Sequence, residues 1–336
     1  MQRPTIKDIA KETGVSAGAV SFALNDKPGV SEETRARIKA VAKGMGWSPN
    51  VAAVALSGNR AGAVGIVIAR DDQSFAGEGF FMRLIAGMEE RLTPRSMALV
   101  LQLVRSAEEE LEVHRRWWAQ RRVDGVVLVD PAVDDPRWQL FEELGMPAVV
   151  VGADPSTPLP GVHIDDGAAV ESIIEHLAER GHQRVARVGG GAGLTHSSVR
   201  EAAFRRACRR RGMTVASVPV TDASEDAGGR ETTSLLRSSQ PPTAILYDNE
   251  VLALGGLIAI RARGLSVPDD VAVVSFEDAA MCRVLSPALT ALSRDPSVLG
   301  AHAVDMLLAR IEGRPCADVV EEPPVLVVRG STASHR

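Results

Sequence analysis

The chain has 336 residues, 45% of them apolar and 24% charged, with a formal net charge of −5. That length is long for one domain and ample for a sizeable core. No segment reaches the roughly 18 apolar residues of a membrane span, and the start lacks the apolar core of a signal peptide, so a cytoplasmic protein is expected. The three cysteines, Cys208, Cys282 and Cys316, lie far apart with no C-x-x-C spacing; they read as thiols in a reducing compartment, with no metal set and no disulfide. The charge is uneven. Residues 1–60 carry nine Lys or Arg against five acids, a net +4, which leaves −9 for the remainder. A basic head on an acidic body suits a protein whose head alone meets phosphate.

Residues 5–25, TIKDIAKETGVSAGAVSFALN, predict two short helices and a tight turn. Thr5 caps the first, with Asp8 three residues on as the acidic half of a capping box. Ile6, Ile9 and Ala10 share one apolar face. Gly14 ends that helix, because a residue without Cβ enters the left-handed region cheaply. Ser16 caps the second helix, whose buried stripe is Val20, Ala23 and Leu24. This is the pattern of a helix-turn-helix, whose second helix lies in the DNA major groove. A third helix is expected over residues 30–43, capped by Ser31, with Ile38, Val41 and Ala42 packing back on the pair.

The register of Thr5, Ile6, Asp8, Ile9, Ala10, Gly14, Val15, Ser16, Val20, Ser21, Leu24 and Asn25 resembles the opening of the LacI/GalR family of bacterial transcription regulators. GMGWSPN (44–50) is similar to that family's G-[YWF]-x-P-N. The resemblance implies DNA contacts at Thr5, Ser16, Ser21 and Asn25, short polar groups suited to phosphate, and base reading by Ala17, Gly18 and Phe22. None of these last three can make a bidentate hydrogen bond to a base. Ala and Phe offer only contact with a thymine methyl, so readout by methyls and DNA shape is expected. VAAVALS (51–57) is too short to hold as a helix alone. It matches the family's hinge helix, which implies minor-groove contacts by Ala53 and a wedge at Leu56.

From Ala63 onward, apolar strands alternate with amphipathic helices in two successive sets, the second including a strand VASVPV (215–220) and a helix around Glu231 to Leu236, which predicts parallel sheets flanked by helices in two similar α/β lobes. The expected fold is therefore an all-α helix-turn-helix head on an α/β periplasmic-binding-protein-like body of two doubly wound lobes. The expected bounds are a head over 1–49, a hinge helix and linker over 50–60, and a body over 61–336. Lobe one is placed at about 61–160 and 294–321, and lobe two at about 161–290 and 322–330.

The resemblance also implies an effector site between the lobes. Phe80 and Phe81 follow the first strand and resemble N-P-F-F, although the loop before them has lost the usual Pro-Asp-x-x-Asn-Pro. Arg200 opens an R-x-x-x-F similar to the family's effector-binding arginine motif. Asn249-Glu250 resembles the family's Asn-Asp, one methylene longer in its acid. His196 and Arg294 stand at cleft-facing positions, Arg294 where Gln is common, and Ala223 replaces an aromatic found in some sugar-binding members. An aromatic pair with Arg and Glu suits a sugar or sugar derivative. Arg294 leaves open a second pairing, with an acidic ligand or with Glu250.

No nucleophile, metal or cofactor motif is present: Gly189 to Gly193 fail the dinucleotide spacing, and His196-Ser197 has no third partner. The expected function is a homodimeric repressor that binds a palindromic operator and responds to a small effector, with no cofactor and no catalysis. Two alternatives stay open: a constitutive DNA binder with a vestigial cleft, and an α/β enzyme on a DNA-binding head.

Overall fold

The computed structural model describes residues 4–47, 60–70, 79–154 and 156–333. Ala53, Leu56, the rest of the expected hinge helix and most of the loop before Phe80 lie outside the described residues. The chain divides into two compact units, Met1–Ala61 and Gly62–Arg336.

The first unit is built of α1 (Ile6–Thr13), α2 (Ala17–Leu24) and α3 (Glu32–Gly44). The capping box closes as its residues predict: the Thr5 backbone N–H donates to Asp8 Oδ2 at 2.8 Å, and the Asp8 N–H donates back to Thr5 Oγ1. Gly14 takes φ 70°, the left-handed turn that only glycine reaches without strain. Ser16 accepts the Ala19 N–H at 3.2 Å and starts α2. Ile9, Val20, Ala23, Ile38 and Ala42 form the small core. Arg35 of α3 is buried and donates to the carbonyls of Phe22, Ala23 and Lys27, at 2.8 Å for the last. It thereby satisfies the orphan carbonyls at the end of α2, so one of the head's cations is spent internally.

The second unit begins with β1 (Ala63–Ala69), α4 (Gly79–Leu92), β2 (Ala98–Val104), α5 (Ala107–Ala119), β3 (Gly125–Leu128), α6 (Arg137–Leu144), β4 (Ala148–Ala153) and β5 (Gly161–His163). It continues through α7 (Asp166–Glu179), β6 (Arg184–Gly190), α8 (Thr195–Arg210), β7 (Thr214–Ser217), β8 (Val220–Thr221), α9 (Glu225–Arg237), β9 (Ala244–Tyr247), α10 (Glu250–Ala262) and β10 (Ala272–Ser275). It ends with α11 (Ala280–Val284), β11 (Thr290–Ser293), α12 (Pro296–Ile311), β12 (Val319–Val320) and β13 (Val325–Val327). One sheet has the order β12-β5-β4-β3-β1-β2, with every neighbouring pair parallel. The other runs β13-β11-β10-β9-β6-β7, parallel except at β13, with the short β8 also on β6. The inner strands β1, β3, β9 and β10 are apolar and buried almost throughout, as strands covered on both faces must be, while the edge strands β2, β7, β12 and β13 are partly exposed. Helices α4 and α12 return to the first sheet and cross at Gly87 and Gly300.

Three expectations need correction. Residues 161–165 are expected in lobe two, but Gly161–His163 pairs parallel with β4 and belongs to the first sheet, so the chain crosses after His163. The helix expected around Glu231 starts earlier, at Glu225, because Ser224 caps it through the Ala227 N–H. The run VASVPV is not one strand but β7 and the start of β8, which meet β6 at different registers.

Candidate functional site

In the head, Ala17 and Gly18 are exposed at the start of α2, and Phe22 is 46% exposed, with its ring beside Gly29. Phe22 is thus available to a partner. Thr5 and Ser16 are exposed while also serving as caps, and Asn25 folds its side-chain amide back onto the Ser21 carbonyl at 2.8 Å.

In the body, one cavity of about 750 Å³ opens between the two sheets, and Phe80, Phe81, His196, Arg200, Glu250 and Arg294 all line it. The fold brings them together by one rule: in open α/β sheets, ligands meet the carboxyl ends of the strands. Phe80 and Phe81 open α4. His196 and Arg200 stand in the first turns of α8. Glu250 is the first residue of α10, after the Asn249 cap, whose Oδ1 accepts the Leu252 N–H at 2.8 Å. Arg294 follows β11 directly. The two rings pack edge to face at 5.5 Å between centroids, Phe81 buried and Phe80 partly open.

Sequence reading missed the carboxylates that hold the arginines. Asp130 follows β3 and takes the left-handed φ of 49°; its Oδ2 accepts from Arg70 at 2.8 and 3.0 Å. Asp166 opens α7 and accepts from Arg200 Nε at 2.7 Å, while the Arg200 guanidinium lies 3.6 Å from the Phe276 ring centroid. Arg187, fully buried, grips Asp248 with Nε at 2.7 Å. Arg294 pairs with Glu277, approaches Asp166 at 3.7 Å and lies over Phe80. The alternative that Arg294 neutralises Glu250 is therefore overturned: Glu277, carried on the strand end next to β11, is nearer. The hydrogen-bonded partners among these lie up to 61 residues apart in sequence, and nothing local marks them.

The electrostatics follow. Burial pushes Asp130 and Asp166 up, but Arg70 for the first, and Arg200 and then Arg294 for the second, hold both below the usual carboxylate range. Burial, seconded by Arg200, pushes His196 down to about 4 against the pull of Asp130, Asp166 and Asp248, so the imidazole is neutral near pH 7. Burial raises Glu250 despite N–H donors from its own backbone and from Gly79.

The lobes also touch directly at the cleft. The Thr195 N–H donates to the Pro131 carbonyl at 2.8 Å, the Val133 N–H to Gly193 at 3.0 Å, and the Gly79 N–H to Glu250 Oε1 at 3.2 Å. The Gly189–Gly193 run is a strand end and turn, with Gly191 and Gly193 at positive φ. Ser197 Oγ receives Arg187 rather than His196, so no triad geometry arises there. Arg205, Arg206, Arg210 and Arg211 pair with Glu201, Glu171 and Glu175 on an exposed face, as a solvated surface does. Among the described residues, no cluster with metal-ligand geometry occurs and no helix is long and apolar enough to cross a membrane.

Residues 5–50 match the family of bacterial regulatory proteins of the lacI type, and residues 174–332 match a periplasmic binding protein-like domain. The regulator CelR of Thermobifida fusca is 30% identical over 320 residues, covering 93% of each chain. The chain belongs to the LacI family. The HTH-type transcriptional repressor PurR of Haemophilus influenzae is 28% identical to this LacI-family chain over 339 residues, 98% of this chain and 99% of that one. Among solved structures, a CelR–cellobiose complex superposes with a TM-score of 0.74 at 29% identity, covering 98% of this chain and all of the other. The lac repressor dimer bound to operator and the anti-inducer ONPF gives 0.87 at 25% identity, covering 98% and 99%. LacI-family members are transcriptional regulators, a class that is not enzymatic, and this chain is a DNA-binding regulator under effector control.

Proposed function

We propose that the chain is a cytoplasmic homodimeric repressor without catalytic activity, and that a sugar or sugar derivative in the cleft weakens its hold on a palindromic operator. The observation that carries this is the convergence of both lobes on one cavity. Phe80, Phe81 and Asp130 come from the first sheet's side, His196, Arg200 and Glu250 from the second's, and two backbone hydrogen bonds and one from the Gly79 N–H to the Glu250 side chain tie the rims. A ligand that touches both rims has different affinities for open and closed bodies, which is the thermodynamic requirement for a switch. A cavity furnished with buried, ordered charge pairs argues against a vestigial cleft. The names of relatives point the same way: one structure holds cellobiose, another an operator.

Arg200 is the pivot of the test. Its Nε is committed to Asp166, and its two terminal nitrogens make no hydrogen bond to a described residue, so they face the cleft as donors. Arg200→Ala would also strand a buried carboxylate and blur the readout. Arg200→Lys keeps a cation beside Asp166 and removes the fork. Effector affinity should then fall about tenfold or more, with operator affinity in the absence of effector within a factor of about two. Calorimetry against a sugar panel and fluorescence anisotropy on an operator selected from random DNA measure the two. An unchanged effector response sinks the assignment of the cleft.

For the DNA face, we propose that Ala17 and Phe22 read thymine methyls, with Thr5, Ser16, Ser21 and Asn25 on phosphates and Gly18 allowing close approach. Replacing one contacted thymine by uracil removes a methyl and should cost about 1 kcal/mol. A complete thymine-to-uracil scan of the operator with no sensitive position would show that α2 does not read bases in this way. Ala53 and Leu56 complete the proposed DNA surface through the minor groove.

A further inference from the structure

Charge in the cleft does not balance. Carboxylates outnumber guanidiniums along its lining, and four guanidiniums in or beneath it are each paired: Arg70 with Asp130, Arg187 with Asp248, Arg200 with Asp166 and Arg294 with Glu277. Glu250 is left over. It is 3% exposed, lines the cavity, and forms no ion pair among the described residues; Arg83 acts on it only from beyond ion-pair distance. The adjoining sequence 71–78, DDQSFAGE, contains no Lys, Arg or His either. The hydrogen bond recorded to its side chain is from the Gly79 N–H. A second acceptor is short of a donor: Asp166 Oδ1 is buried and has no hydrogen-bond partner, with the Arg294 guanidinium at 3.7 Å. Asp166 lines the same cavity as Glu250.

From this surplus we infer that the effector carries a protonated amine on its hydroxylated frame, docked on Glu250, so that an amino sugar or amino polyol is the chemical class. The inference rests on the cleft being the effector site and specifies what enters it. A buried carboxylate without a counter-charge is costly, and a neutral hydroxyl supplies a hydrogen bond without supplying charge. An ammonium group brings a full charge and three donors, which a neutral hydroxyl does not. The free nitrogens of Arg200 and the open face of Phe80 remain for hydroxyls and C–H surface. The upward push on Glu250 fits the same account: burial, with the like charge of Glu277, outweighs the N–H donors and the pull of Arg83. A phosphate or carboxylate on the ligand meets an excess of like charge, because each of the four guanidiniums already has a carboxylate as its counter-charge.

Calorimetric titration of the full chain with D-glucosamine and glucamine, each beside its neutral counterpart D-glucose or sorbitol and beside phosphorylated glucose, decides the matter. The amines should bind, the neutral partners at least about tenfold more weakly, and the phosphate not at all. Glu250→Gln, which keeps shape and hydrogen bonding, should weaken the amines about a hundredfold and leave the neutral sugars within a few-fold. Neutral or phosphorylated sugars binding as well as the amines, or Glu250→Gln weakening both alike, overturns the inference while the cleft stands as the effector site. Silence from every probe overturns the sugar reading and this inference together.

Discussion

Replacing Arg137 by methionine should cost the body about 3–5 kcal/mol, the loss expected when one member of a buried ion cluster is removed. Arg137 is 5% exposed and opens α6. Its guanidinium donates to Asp135 at 2.6 and 2.9 Å and to Glu110 of α5 at 2.8 Å. It also donates to the carbonyls of Val129 and Asp130, at 2.9 and 3.1 Å. Burial alone would lower its basicity, but Asp135 and Glu110 outweigh it and hold the group charged. Without it two carboxylates and two carbonyls lose donors in the interior. The two carbonyls belong to the strand end that presents Asp130 to the cleft, so the variant should bind effector more weakly as well as unfold earlier. Urea unfolding of wild type and Arg137→Met gives the stability difference. Adding Glu110→Gln and Asp135→Asn to Arg137→Met should recover part of the loss, since the residual penalty is uncompensated charge. An unchanged midpoint for Arg137→Met alone would show that the cluster does not hold the lobe.

What the sequence made legible here was local chemistry. The caps at Thr5, Ser16 and Ser31, the turn at Gly14 and the alternation of apolar strands with helices all follow from residues within a few positions of one another. The six cleft residues were reachable because a family pattern places each one at a helix start or strand end. What stayed illegible was decided by tertiary neighbours. Arg35 reads as one more cation of a DNA-binding head, yet it caps the end of α2 from another helix. Gly161–His163 has too few residues to declare its sheet, and only its pairing with β4 assigns it to lobe one. Asp130, Asp248 and Glu277 look like ordinary acids after apolar strands. Their position at carboxyl ends of adjacent strands was a usable signal: acids that follow buried strands in such folds converge on the cleft.

A side chain at Gly87 should be as damaging as the loss of Arg137, for a steric reason. A Cβ built there would stand 1.8 Å from the Ser297 carbonyl oxygen, and one at Gly300 would stand 2.1 Å from the Leu84 carbonyl oxygen. At this crossing the backbones of α4 and α12 touch, and no flexible side chain can swing aside to make room. In a helix interior, alanine is intrinsically better than glycine by about 1 kcal/mol. Gly44, the last residue of α3, has open space around its would-be Cβ, so Gly44→Ala should be neutral or slightly stabilising. At Gly87 the clash is with main chain and wins: Gly87→Ala should destabilise the body by about 3 kcal/mol, at the upper end for overpacking. Function should follow stability, because α4 carries Phe80 and Phe81 into the cleft and α12 continues from Arg294. Forcing the two helices apart shifts an aromatic wall against the arginine that lies over Phe80 at 5.1 Å. Calorimetric unfolding of the two alanine variants, with effector titration of Gly87→Ala at a temperature where it remains folded, separates the two consequences. A Gly87→Ala protein as stable as wild type would mean that the α4–α12 crossing is looser than a backbone contact.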